Sequence, residues 1–232
     1  MDKYIVINSP IKSVCICPNT PGSNVPSHGT DKYGERYAID FVVLRNEGVS
    51  KKPYNASLLK YLFQGLPLEN FYGWGEKIYT PICGEVIKVI DGIKERNPVN
   101  IFLDLKYMFE VTKGFENGKD DYRHVTGNCV IIKVDNEVFL LLAHLKNGSI
   151  IVKEGQKVKE QDLIGELGHS GNSTMPHLHM QLMDNPDFLK AKGLPFVMQE
   201  YFVKTNHGKW LKVTNSIPKK DEIVKFLEER NR

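Results

Sequence analysis

Apolar and polar residues fall into short runs along this chain, mostly too short for helices and set apart by turn formers. Ile5-Val6-Ile7 and Ala38-Ile39-Asp40-Phe41-Val42-Val43 are strand-like, with a turn-rich stretch, Pro18 to Gly34, between them. Residues 46–76 are polar and aromatic, and Ala56 to Phe63 predicts a short helix. From Ile78 onward the runs become a β series broken by Gly, Asn and Asp. Its members are 84–90, 128–134, 137–144, 149–152, 163–167 and 177–183, with Asp135-Asn136 as a tight hairpin turn. Residues 91–126 are polar without a clear period and read as an inserted excursion. The tail predicts strands over 195–204 and 210–213, then a terminal helix over 221–229. Many short strands with few helices predict a mainly β fold, an antiparallel β sandwich or barrel-like core with short helical insertions and a C-terminal helix.

Composition narrows the function classes. The 232 residues are 41% hydrophobic and 25% charged, with a formal net charge of +3. That charge is too small to argue for nucleic acid, and no Lys/Arg cluster is interleaved with aromatics. The longest apolar run, Val138 to Ala143, is far short of the roughly 18 residues of a membrane helix. The N-terminus lacks the apolar stretch and cleavage site of a signal peptide, which predicts a cytoplasmic protein if this is its whole length, and a secreted or cell-wall protein if a leader has been removed. Cys15, Cys17, Cys83 and Cys129 all read as reduced and buried; Cys15 and Cys17 are too close for an unstrained disulfide with each other. The segment Val152 to Gly165 resembles the hammerhead-like turn of biotinyl and lipoyl domains, but it carries no lysine tip flanked as in those carriers.

The candidate chemistry lies in histidines. His177 and His179 flank Leu178 on a strand-like segment, so both project from one face, roughly 6 to 7 Å apart along the backbone. His144 ends the apolar run 138–143, where a strand meets a loop. His28 sits beside Gly29, which permits close backbone approach. Asp40 interrupts an apolar strand, where a carboxylate costs several kcal/mol unless it is paired with a metal or a donor.

Together, Ala143-His144-Leu145, Glu154-Gly155-Gln156-Lys157-Val158, the loop Gly168 to Thr174, and Pro176-His177-Leu178-His179 resemble the LytM/lysostaphin-type zinc metallopeptidases of family M23. The resemblance covers a core of about 78–183 and an upstream ligand region within 24–45. It implies one peptidase domain over 1–232 with an extension over 184–232. It also implies a single Zn2+ and hydrolysis of peptide bonds in peptidoglycan cross-bridges or stem peptides. By residue, it implies His28, Asp40 and His179 as metal ligands and His144 and His177 as catalytic residues. The family commonly sets its first His and its Asp four residues apart, whereas eleven residues separate His28 from Asp40 here. Asp31 is therefore the alternative carboxylate. Two further readings compete: a catalytically degenerate binding or regulatory module, and a non-haem iron enzyme using two His and one carboxylate.

Overall fold

A computed structural model describes residues 4–45, 50–117 and 121–226. The strands are β1 (Ile5–Ile7), β2 (Val14–Ile16), β3 (Ile39–Val43), β4 (Lys77–Tyr79), β5 (Gly84–Ile90), β6 (Asn128–Asp135), β7 (Val138–Leu145), β8 (Lys157–Val158), β9 (Leu163–Glu166), β10 (Leu178–Met183), β11 (Phe196–Lys204), β12 (Trp210–Ser216) and β13 (Ile223–Lys225). The helices are α1 (Leu58–Gln64), α2 (Ile101–Glu116) and α3 (Tyr122–Thr126). The chain is mainly β.

Eleven strands form one long sheet in the order β1-β11-β13-β2-β3-β10-β7-β6-β5-β8, with β12 also paired to β11; β4 and β9 make a separate pair. All neighbours are antiparallel except β1 with β11. Strand alternation sorts the middle of this sheet into two faces. Ile39, Phe41, Leu140, Leu142, Leu178, Met180 and Leu182 join the main core, with Ile78 and Ile164 of the small sheet. Each such fully buried side chain contributes roughly 1.5–3 kcal/mol. The opposite face carries Leu141, Ala143 and Met183, covered by Phe115 of α2 and by Phe188. Tyr33 stacks on Phe188 at 5.3 Å and meets Phe115 edge-on at 5.0 Å.

Several expectations change. Residues 221–226 contain β13 rather than a helix, because pairing with both β2 and β11 supplies a full ladder there; 227–229 lie outside the described residues. The 91–126 excursion contains a 16-residue helix, started by the Asn100 side chain accepting from the amides of Phe102 and Leu103. Residues 149–152 are not a strand: the run begins after Gly148 at φ 72°, and Ile151 N–H to the Ile164 carbonyl is its one ladder-like bond among the backbone contacts described. The β6–β7 turn falls on Asn136-Glu137, one residue later than expected. Cys15, Cys17 and Cys129 are buried, but Cys83 is exposed, because it precedes β5 beside the sheet edge formed by β8. None of the described helices is long and apolar enough to cross a membrane.

Candidate metal and catalytic centre

Register brings the site together. Asp40 on β3 lies directly across from His179 on β10, and His179 lies across from Ala143 on β7. With Leu178 and Met180 in the main core, alternation turns His179 and Asp40 to the other face. Strict alternation from Leu140 and Leu142 would send His144 into the main core. It does not, because Ala143 and His144 together oppose the single residue Cys129, a β-bulge in β7. His144 occupies the left-handed region at φ 63°, uncommon for a non-glycine residue, and its ring lines the same cleft as His179. Leu145 then returns to the core.

The cleft holds about 470 Å³. His28 Nε2 lies 3.1 Å from Asp40 Oδ2, and His179 Nδ1 lies 3.0 Å from Asp40 Oδ1. One ligand atom from each of these three residues falls within 4.8 Å of the other two. The donor set of two imidazoles and one carboxylate, nearly buried and converging, fits a zinc ion. The outer atoms are held as well. His179 Nε2 is 2.9 Å from Gln181 Oε1, and Gln181 Nε2 donates to the Tyr33 carbonyl at 2.8 Å. His28 Nδ1 meets Ser27 Oγ at 3.1 Å, and Asn19 Nδ2 donates to Asp40 Oδ2 at 2.8 Å. Asp31, the alternative carboxylate, is exposed, pairs with Arg36 and stands outside this cluster.

His144 and His177 flank the cluster, their ring centroids 4.7 Å apart. His144 Nδ1 is 2.9 Å from the Ser170 carbonyl, and His177 Nδ1 is 2.8 Å from the Met175 carbonyl. A carbonyl only accepts, so each Nδ1 carries the proton and each neutral ring leaves Nε2 bare. Burial pushes both rings below the usual imidazole range, His144 well below it with help from His177 and His179, while Asp40 only partly opposes this. Both are therefore neutral at neutral pH.

Burial would push the Asp40 carboxyl up, but His177 and His28 beside it and the bonds from His179 and His28 hold it well below the usual carboxylate range. Burial would likewise push His179 down; the bond to Asp40 and its charge overcome this and raise the ring to about 9. Glu35, in a short 3-10 turn over Glu35–Tyr37, lines the same cleft, and burial pushes its carboxyl up against the pull of His179 and His28.

Gln181, Ser170, Ser173 and Asn19 escaped the sequence reading. Gln181 was reachable, since it follows His179 by two residues on the same strand face. Asn19 is contributed by a turn-rich loop and carries no local signal. Gly171, at φ 67°, packs its α-carbon against the Gly127 backbone with no room for a Cβ, which fixes the loop carrying Ser170 and Ser173. Replacing Gln181 with Leu is expected to weaken zinc binding roughly 10–100-fold while the fold persists, measured by chelator competition.

A profile of Peptidase family M23 matches residues 115–190. The chain is 34% identical over 99 residues to an "Uncharacterized metalloprotease" of Buchnera aphidicola subsp. Baizongia pistaciae, covering 43% of this chain and 25% of that protein. It is 34% identical over 104 residues to the peptidoglycan DD-endopeptidase ShyA of Vibrio cholerae, covering 45% and 20% respectively. To ShyC of the same organism, also named a peptidoglycan DD-endopeptidase, it is 37% identical over 67 residues, covering 29% and 15%. The chain thus spans a quarter or less of the length of these relatives.

Proposed function

We propose that this chain, a member of peptidase family M23, is a zinc-dependent metalloendopeptidase that hydrolyses peptide bonds of peptidoglycan. One observation carries the reading. The ligand atoms of His28, Asp40 and His179 converge within 4.8 Å, and in the same cleft the two neutral imidazoles of His144 and His177 keep bare Nε2 atoms. The relatives named peptidoglycan DD-endopeptidases make cross-linked muropeptides the first substrate to try.

His28, Asp40 and His179 would hold the metal. A zinc ion bound there would supply Lewis-acid chemistry, lowering the pKa of a water toward about 7 and polarising a carbonyl. The remaining work falls to this chain. One bare Nε2, of His144 or His177, takes the proton of the attacking water; a ring pushed below its usual range stays available for this throughout neutral pH. That proton then passes to the leaving amine, from the same Nε2 or through the neighbouring imidazole, whose ring centroid lies 4.7 Å away, and the imidazolium so formed faces the developing negative charge. Gln181 and Ser27 fix the rings of His179 and His28 through their outer nitrogens. Phe115 and Phe188 give the same cleft an apolar wall.

The direct test is metal content together with cleavage of cross-linked muropeptides and of oligoglycine. One zinc per chain and turnover on either peptide is the expected result. Zinc bound with no turnover on any peptide would replace this reading with a binding module, and stoichiometric iron with oxygen dependence would replace it with an oxygenase.

Zinc affinity should depend on pH in a defined direction. In the metal-free protein the His179 imidazolium paired with Asp40 competes with the ion. Its folded pKa of about 9 exceeds the roughly 6.5 of an unfolded imidazole. Proton binding at His179 therefore stabilises the metal-free fold fully below about pH 6.5, and this stabilisation is lost as pH rises through about 9. Uptake of zinc releases that proton, so apparent affinity should rise about tenfold per pH unit between pH 6.5 and 8.5, then level. A flat profile by chelator competition would contradict the pairing.

A further inference from the structure

The inserted segment reaches the catalytic loop through a line of buried polar groups that the mechanism above leaves unused. Asp104, in the first turn of α2, is 1% exposed. Its Oδ2 accepts from the Asn100 amide at 2.8 Å, and its Oδ1 accepts from Arg96 Nε at 2.6 Å. That same Oδ1 stands 3.4 Å from Nε2 of His169, a fully buried residue. His169 Nδ1 lies 2.9 Å from Ser173 Oγ, and Ser173 Oγ lies 3.1 Å from Nδ1 of His177. Arg96 clamps the loop from outside, donating to the carbonyls of Gly171 at 2.9 Å and Ser173 at 2.5 Å while its guanidinium lies over Tyr107.

The line has a direction. His169 Nε2 makes no hydrogen bond of good geometry but faces the carboxylate at 3.4 Å, and a carboxylate attracts the ring's proton to that nitrogen. Its Nδ1 is then an acceptor facing the Ser173 hydroxyl, whose one hydrogen is shared between that nitrogen and the Met175 carbonyl at 2.7 Å. A lone pair of Ser173 Oγ receives the Nδ1–H that His177 shares with the Met175 carbonyl. The end of the line is a His177 ring held with Nδ1 inward and Nε2 toward the cleft. Buried polar lines of this kind are costly when incomplete and rigid when complete.

We propose that Asp104, His169 and Ser173 form a positioning relay by which the 91–126 insertion orients the His177 ring for catalysis. The proposal rests on the peptidase reading for the role of His177, but not for the relay itself. A loop merely packed in place would need only the Arg96 clamp and the Gly171–Gly127 contact. Asp104 and His169 are then aligned for something more: the carboxylate faces the His169 ring electrostatically, and the ring is joined through Ser173 to a catalytic imidazole.

The test uses the zinc-loaded protein and three variants: His169→Leu, His169→Gln and Ser173→Ala. Zinc per chain, Tm, kcat and KM on cross-linked muropeptides, and the long-range 1H–15N spectrum of the His177 ring are read for each. His169→Leu is expected to lower kcat roughly 10–100-fold with KM within about twofold and zinc unchanged. His169→Gln, which returns a donor and an acceptor, is expected to recover most of that loss. In His169→Leu and Ser173→Ala the His177 Nδ1–H, held then by the Met175 carbonyl without an oriented Ser173 hydroxyl, should shift its 1H and 15N resonances. A folded, zinc-loaded His169→Leu with kcat within about twofold of the parent overturns the relay. So does an unchanged His177 spectrum in either variant, and Ser173→Ala decides the matter if His169→Leu does not fold. If the parent protein cleaves no peptide, the peptidase reading fails while the spectra still judge the relay.

Discussion

His179→Ala is expected to lose the metal and with it all measurable peptide hydrolysis, a fall of at least about 10³ in kcat/KM. Three separate contributions end at that ring. In the metal-free protein its Nδ1 donates to the buried Asp40 carboxylate, the same nitrogen would turn to the metal once that proton leaves, and its Nε2 is anchored on Gln181. Truncation leaves His28 and Asp40 as a two-residue site, one short of the three protein ligands of a tetrahedral catalytic zinc centre. It also leaves Asp40, 4% exposed, short of a donor, and breaking a buried pair from one side costs about 3–5 kcal/mol. Metal analysis and thermal unfolding check both effects. Stoichiometric zinc persisting in His179→Ala would remove this residue from the ligand set.

His144→Asn and His177→Asn are expected to behave oppositely with respect to metal: zinc retained at one per chain, kcat reduced about 10²–10⁴-fold. Asparagine suits position 144 because it tolerates the left-handed backbone at φ 63° better than other non-glycine residues, so loss of activity there is not loss of fold. At position 177, Asn keeps a side-chain donor near the Met175 carbonyl but cannot present an imidazole Nε2 to the cleft. The pair of variants thus separates holding the metal from moving protons. Full turnover in either one would take that ring out of the mechanism; zinc loss in either would move it into the ligand set.

The sequence carried more of this site than of the fold around it. Asp40 was conspicuous because a carboxylate in an apolar strand needs partners, and it has Asn19, His28 and His179. The shared face of His177 and His179 followed from the period of a strand. His144 was visible as a residue but not its orientation, since the bulge that turns it depends on Cys129 in the neighbouring strand, a relation no single segment encodes. Helix α2 was illegible for a related reason. Phe102, Leu103 and Phe109 are large, apolar and 61–67% exposed, so apolar residues share the outer face with Lys106 and Glu110 and blur the period. The C-terminal stretch 221–226 has helix-compatible residues, yet two flanking strands offered it a ladder on both sides, and tertiary pairing overrode local preference.

The layout of the three proposed ligands has a kinetic consequence. Asp40 and His179 stand on adjacent strands deep inside an eleven-strand sheet, where opening requires breaking ladders on both sides. His28 comes instead from the loop that follows Pro26 and is tied down by Ser27 and by Asp40 itself. Two of the three proposed protein ligands are thus placed by the sheet itself, at no further loss of chain entropy, and only the His28 arm is free to yield when an ion comes or goes. Entry and escape of a metal held there would be governed by a short loop, while its affinity would be underwritten by the sheet.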